Sequence, residues 1–193
     1  YIENIGRAKS KLELSENALA QASNLVTRIY ELTILAENDT FSRADRIAMK
    51  QEVTQLKDSM FEIVNSEDAS GQALFAGYQV NRNAFSKDDN GYIQYMGDRG
   101  NNFINIAENM TLSLGIDGAS AFLRVPSENS HKSIFGIIEA IEDNFEDAEF
   151  SKNAISDLQG AIDHLSLQQT YIGAQLNKAE LQEEVLNKRQ IIL

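Results

Sequence analysis

The chain has no cysteine and no tryptophan, one proline (Pro126), and an aromatic content of only 8%. Without cysteine there are no disulfides, no thiolate metal sites and no cysteine nucleophile. The same absence suits a protein that leaves the cell without oxidative folding. Few aromatics and almost no proline fit a helical rod with small core residues better than a compact enzyme core. Positive charge is also scarce: 17 Lys and Arg stand against 29 Asp and Glu, a net charge of −12. That argues against nucleic acid as a partner, since phosphate binding needs clustered cations. It also argues against an anionic membrane surface, and solubility accounts for the acidity. No signal peptide or membrane-length apolar run is present. With 193 residues, 42% of them hydrophobic, the chain can form one domain or two small ones.

What is present is heptad spacing at both ends. Apolar or small residues recur at Ile5, Ala8, Leu12, Ser15, Leu19, Ala22, Val26, Ile29, Thr33 and Ala36. They recur again at Ile155, Leu158, Ile162, Leu165, Gln169, Ile172, Leu176, Ala179, Glu183 and Leu186. Steps alternating between three and four define an amphipathic helix with one seam. Neither array meets a stop signal at its chain end, so both read as rods continuing into a larger assembly. A second row, Ala18, Leu25 and Leu32, widens the first seam into a bundle face. The first helix is expected from Ile2 to Glu37, broken at Asn38-Asp39-Thr40. Ser42 with Asp45 forms a capping box for a second helix, Arg43 to Val64, whose seam is Met49, Val53, Leu56, Met60 and Ile63. This predicts an antiparallel helical hairpin.

After Asn65 the period changes. Ser70-Gly71 reads as a turn leading to a short β-hairpin near 71–78. Asn90-Gly91 predicts a type I′ hairpin turn before Tyr92 to Tyr95. Met110, Leu112, Leu114 and Ile116 alternate with polar or small residues and predict a half-buried strand, and Asp117-Gly118 reads as the next turn. Helical spacing returns from Ser133 to Phe145 and from Ser151 to the end. The expected fold is mainly α with a β insert: an elongated antiparallel helical bundle built from both termini. Residues 1–78 and 133–193 would form the rod, and 79–132 a β-rich outer domain. Leu12, Leu19, Val26 and Ile29 should pack on Leu158, Leu165 and Ile172, with Met49, Val53, Leu56 and Met60 closing the bundle.

No constellation carries chemistry. His131 and His164 lie in different regions and read as surface or boundary residues. Asp88-Asp89-Asn90-Gly91 faintly echoes a calcium loop, but the alignment puts Ser86 at the first ligand position and Gly97 where a bidentate Glu belongs. A turn is the better reading. Glu142-Asp143, Glu146-Asp147 and Glu183-Glu184 read as solvated helix faces. Gly97-Asp98-Arg99-Gly100 lacks the Lys-Ser/Thr of a phosphate loop. Asn38-Asp39-Thr40 and Asn109-Met110-Thr111 match the short glycosylation pattern, which arises by chance. No catalytic, cofactor-binding or metal residue is assigned, and no enzyme is expected. The polar seam positions Gln169, Glu183 and Gln190 carry more information, since such residues fix register and partner. Either the far end of the last helix packs on other subunits, or it is a partly exposed terminal helix.

Several segments resemble the flagellin family. They are Ser42 to Ala48 (with Arg46), then Glu52, Leu56, Ile63 and Asn65, and the run Gly71-Gln72-Ala73-Leu74-Phe75-Ala76-Gly77. Gly91 to Asp98 (with Gly97), Ser133-Ile134-Phe135 and Gly173-Ala174-Gln175-Leu176-Asn177 narrow the resemblance to its hook–filament junction members. Gln175 stands where that family often has Arg, which puts any ion pair there in doubt. The resemblance implies a secreted structural subunit of the bacterial flagellum, exported by the flagellar type III apparatus. It implies an elongated helical domain made from both termini and an outer β domain. Terminal segments, disordered when free and helical in the tube, would lie beyond the part seen here. The implied partners are other copies in a ring, the first hook-associated protein, flagellin and an export chaperone. A flagellin filament subunit is the alternative within the family. An unrelated coiled-coil binding module or helical enzyme is the alternative outside it.

Overall fold

The computed structural model describes residues 1–37, 41–127, 130–145 and 151–191, with side chains of the last helix from 153 to 188. The expected break at Asn38-Asp39-Thr40, the Glu146-Asp147 pair and the side chain at the seam position Gln190 lie outside what is described. The elements run in the order α1 (Ile2–Ala36), α2 (Arg43–Val64), β1 (Phe85–Lys87), β2 (Ile93–Tyr95), β3 (Phe103–Ala107), β4 (Met110–Ser113), α3 (Gly118–Phe122), β5 (Val125–Pro126), β6 (His131–Lys132), α4 (Ile134–Asn144) and α5 (Ser151–Ile191). The fold is mainly α, with small antiparallel β pairs between the second and fourth helices.

The rod is α1 against α5, about 50 and 60 Å long at 1.5 Å per residue. Every position of the α1 seam is buried, and Ala18 and Leu32 widen it. Its two hydroxyls are satisfied within the helix: Ser15 donates to Lys11 O and Thr33 to Ile29 O. On α5, Leu158, Leu165, Ile172 and Ala179 are buried, and Ile162, Leu176 and Leu186 pack half-buried against the core. The helices run antiparallel. Lys9 meets Glu183 at 2.8 Å near one end, and Tyr30 shares a groove with Ile155 and Gly160 near the other. Helix α2 folds back along α1, held by Arg28–Glu52 at 2.7 Å, and buries Val53, Met60 and Val64. Met49, Leu56 and Ile63 pack half-buried on the same core. The Ser42–Asp45 capping box starts this helix.

Between α2 and α4 the structure departs from the expected strands. No strand lies at 71–78. That stretch is an irregular turn closed by an isolated Glu67–Ala73 bridge, because its residues face the core consecutively rather than alternately. The β1–β2 loop is not a type I′ turn, as Asn90 does not take a positive φ. Asp88 N donates to Tyr92 O and Gly91 N donates to Asp88 O, which makes a three-residue loop with Gly91 left-handed (φ 85°). Strand β4 stops at Ser113, where the side chain is buried against Asn101 Oδ1 and Gly115 O, and the alternation to Ile116 is lost. Asp117-Gly118 is a helix start instead of a turn: Asp117 Oδ1 accepts from Ser120 N. Short polar residues before Gly serve both purposes. One hydrophobic cluster joins Ile106 and Leu112 of the β3–β4 hairpin, Phe85, and the seams of α1 and α5.

Candidate functional site

The residues at 74–77 build a turn that ties the helices to the β pairs. Leu74, Phe75 and Ala76 are buried. Phe75 meets Phe122 edge-on at 5.1 Å, and Phe85 packs on Phe122, Tyr95 and Phe135 within 6 Å. Gly77 is left-handed (φ 69°), and a Cβ there would stand 2.2 Å from Asp98 Oδ1. Only glycine fits such a position. Asp98 Oδ1 in turn accepts from Tyr78 N and Gly100 N, and these bonds hold its carboxyl below the usual carboxylate range. Gly97 has Tyr95 Oη and Ala76 O where a Cβ would go. Tyr95 Oη lies 2.9 Å from Phe75 O and 2.6 Å from Asp98 O, and with one proton it donates to one of them at a time. Burial, with the nearby charge of Asp117, pushes its phenol up to about 12.

Asn65 ends α2 and clips the first strand. Its Nδ2 donates to Phe85 O at 3.1 Å, and its Oδ1 accepts from Phe85 N at 2.8 Å. Glu142 corrects the expectation of a solvated face. It receives hydrogen bonds from Thr54 and from Lys57, whose side chain is as sheltered as its own, and so locks α4 to α2. Burial pushes its carboxyl up, but the Lys57 and Thr54 bonds and the charges of Lys57 and Lys50 outweigh it and hold the group low. Glu139, a turn earlier, accepts from Ile93 N, and burial holds it high. His164 is buried, not a surface residue. Its Nε2 lies 3.0 Å from Ser120 O, and burial holds its pKa low. His131 is exposed in β6. Among the described residues, no three His, Asp or Glu side chains are placed to hold a metal ion.

The other motif residues sit apart from this turn. Arg46 is half-buried in the first turns of α2, Gly71 is exposed and left-handed (φ 71°), and Gly173 and Asn177 lie on α5. A Cβ at Gly173 would meet nothing within 4 Å, and Asn177 is exposed. Around them α5 carries a second stripe that the seam analysis missed. Leu167, Tyr171, Ala174, Lys178, Leu181 and Val185 repeat the four-three spacing, out of phase with the buried row. All six are exposed. Leu167 and Leu181 are each 65% exposed. The sole charge in the stripe, Lys178, donates to Thr111 O at 2.7 Å. From Leu165 to Asn177 there is no charged residue, nor from Asn17 to Thr27 on α1. The antiparallel register set by Lys9–Glu183 puts these two runs side by side. The rod therefore has an uncharged belt in a chain of net charge −12. A search for a second phase of the heptad spacing finds it in the sequence.

Comparisons with known proteins agree with this architecture. Residues 1–80 match the bacterial flagellin N-terminal helical region. Flagellar hook-associated protein 3 of Escherichia coli (strain K12) is 29% identical over 86 residues, 45% of this chain and 27% of that protein. The match thus spans about a quarter of the relative's length. Among solved structures, hook-associated protein 3 from Legionella pneumophila superposes with a TM-score of 0.91 at 18% identity, covering 98% of this chain and 92% of that one. A Bacillus cereus flagellin superposes at 0.66 with 20% identity, covering 95% and 88%. The first 80 residues are thus similar to the flagellin N-terminal helical region, and the fold of the chain is that of the solved hook-associated protein 3 structures.

Proposed function

We propose that this chain is a structural subunit of the bacterial flagellum. It acts as an adaptor at the hook–filament junction, between the first hook-associated protein and flagellin, and is required for filament growth and motility. The observation that carries this reading is the near-complete superposition on a hook-associated protein 3, closer than that on a flagellin. The role is mechanical, and no residue is given a catalytic part. Residues 1–78 and 133–193 form the load-bearing rod and 79–132 the insert on its flank, with Leu12, Leu19, Val26, Ile29, Val53, Leu56, Met60, Leu158, Leu165 and Ile172 as its core. The outer stripe of α5 is where neighbouring copies meet in a ring: interface centres are depleted of charge, and two acidic copies can approach there without repulsion. The location is extracellular, reached through the type III apparatus with an export chaperone, which a cysteine-free chain suits.

Deleting the gene tests this. The expected strain keeps its hooks, builds no filaments and loses flagellin to the medium. The wild-type gene restores filaments, and one with Leu167→Asp and Leu181→Asp restores far fewer. Filaments of normal length in the deletion strain would overturn the adaptor reading. The second reading, a flagellin, is favoured by the match of residues 1–80. It predicts that the purified protein polymerises alone into long filaments.

A further inference from the structure

The tip of the β1–β2 hairpin carries chemistry that the proposed role does not use. Asn90 is followed by Gly91, both are exposed, and a Cβ built at Gly91 would meet nothing within 4 Å. An exposed Asn–Gly pair without steric cover is the arrangement that loses ammonia most readily. The Gly91 backbone nitrogen, once a solvent base has taken its proton, adds to Cγ of Asn90. The Cγ–Nδ2 bond breaks and ammonia leaves. Water then opens the succinimide at either carbonyl, giving aspartate or isoaspartate. The product adds a charge beside Asp88 and Asp89. In the isoaspartate form it also adds a backbone carbon to the loop.

One residue opposes each part of this. Asp88 O accepts the Gly91 N–H at 2.9 Å, so the attacking nitrogen is engaged and its proton held. Asp88 Oδ1 accepts from Asn90 N and from Tyr92 N, both at 2.9 Å, which fixes the backbone on either side of Gly91. Asp88 N donates to Tyr92 O, and Asp88 Oδ2 accepts from Gln94 Nε2 at 3.1 Å, anchoring Asp88 itself to the hairpin. We propose that Asn90–Gly91 is a latent deamidation site and that Asp88 holds it closed. On the function proposed above, the part stays outside the cell, away from repair enzymes and resynthesis, and such a guard lengthens its service life.

Peptide mapping by mass spectrometry after mildly alkaline incubation measures the rate at Asn90. Asp88→Ala keeps the backbone bond to Gly91 N but loses the three bonds its carboxylate accepts, and in it the rate should rise about tenfold or more. The exposed Asn81 and Asn83 in the same samples should be unchanged. Asp88→Asn keeps the Oδ1 acceptor and should stay close to wild type. A second measurement does not depend on any variant folding: wild-type protein unfolded in denaturant should lose the Asn90 amide at least about tenfold faster than the folded chain. Equal rates in folded and unfolded wild type, or in wild type and a folded Asp88→Ala, would overturn the proposal.

Discussion

At the scale of single residues, two glycines of the family motifs do opposite things. Gly77 is left-handed and pressed against Asp98, so Gly77→Ala combines backbone strain with a clash. It should destabilise the chain by about 2 kcal/mol or more in urea titrations. Gly173 sits inside α5 with open space around it. Gly173→Ala should stabilise by up to about 1 kcal/mol, since a helical glycine is the poorer helix former. If it does, and filaments still fail to form, Gly173 serves close approach of a partner and not the fold. The carboxylates of α4 give a pH signature. Glu142 is held low, so its contribution to stability is present above its unfolded-state pKa and lost as pH falls through the folded value. Glu139 is held high, so its contribution has the reverse sign: present below the unfolded value and lost as pH rises through the folded one. Glu142→Gln should therefore lower stability at neutral pH and flatten the acid limb of a stability–pH curve. Glu139→Gln should cost little at neutral pH. Equal effects from the two would contradict the assignment.

At the scale of elements, the helices were legible and the β pairs were not. Steps of three and four along α1 marked residues that are all buried, and the capping box at Ser42 marked where α2 begins. These signals are local, so a sequence carries them completely. The β region depends on partners distant in the chain. Ser113 looked outward by alternation, yet Asn101 satisfies its hydroxyl inside. Asn90-Gly91 looked like a two-residue turn until Asp88 supplied the third side of the loop. The motif at Leu74–Gly77 was recognisable by resemblance alone. Its physical reason, the fit around Asp98 and Tyr95, needs the fold. The outer stripe of α5 was missed because one heptad phase hid a second. The two phases separate by mutation. Leu165→Ala on the buried row should cost about 2–5 kcal/mol of stability. Leu181→Ala on the outer row should change it by less than about 0.5 kcal/mol. If both destabilise alike, the outer row is part of the fold and not a surface kept for neighbours.

At the scale of the molecule, the question is whether the insert at 79–132 is an independent body or a flank of the rod. The hydrophobic cluster runs without interruption from the seams of α1 and α5 into Phe85, Ile106 and Leu112. Polar links add to it. Asn4 donates to Asn105 O, Lys178 to Thr111 O, and Asn65 exchanges two bonds with Phe85. Each β pair has only two strands, and such pairs are not stable on their own in water. An insert of this kind draws its stability from the helices, and the helices lose part of their cover without it. The chain should therefore unfold in one cooperative transition. The absence of tryptophan makes this measurable. Phe103 is 62% exposed on β3, so Phe103→Trp places one reporter in the insert with little disturbance of the core. Its fluorescence and the far-ultraviolet circular dichroism of the helices should trace the same denaturation midpoint. If the tryptophan signal moves first, the insert is a separate folding unit that can change its angle to the rod. If the two coincide, a load applied to the flank is passed directly into the paired helices.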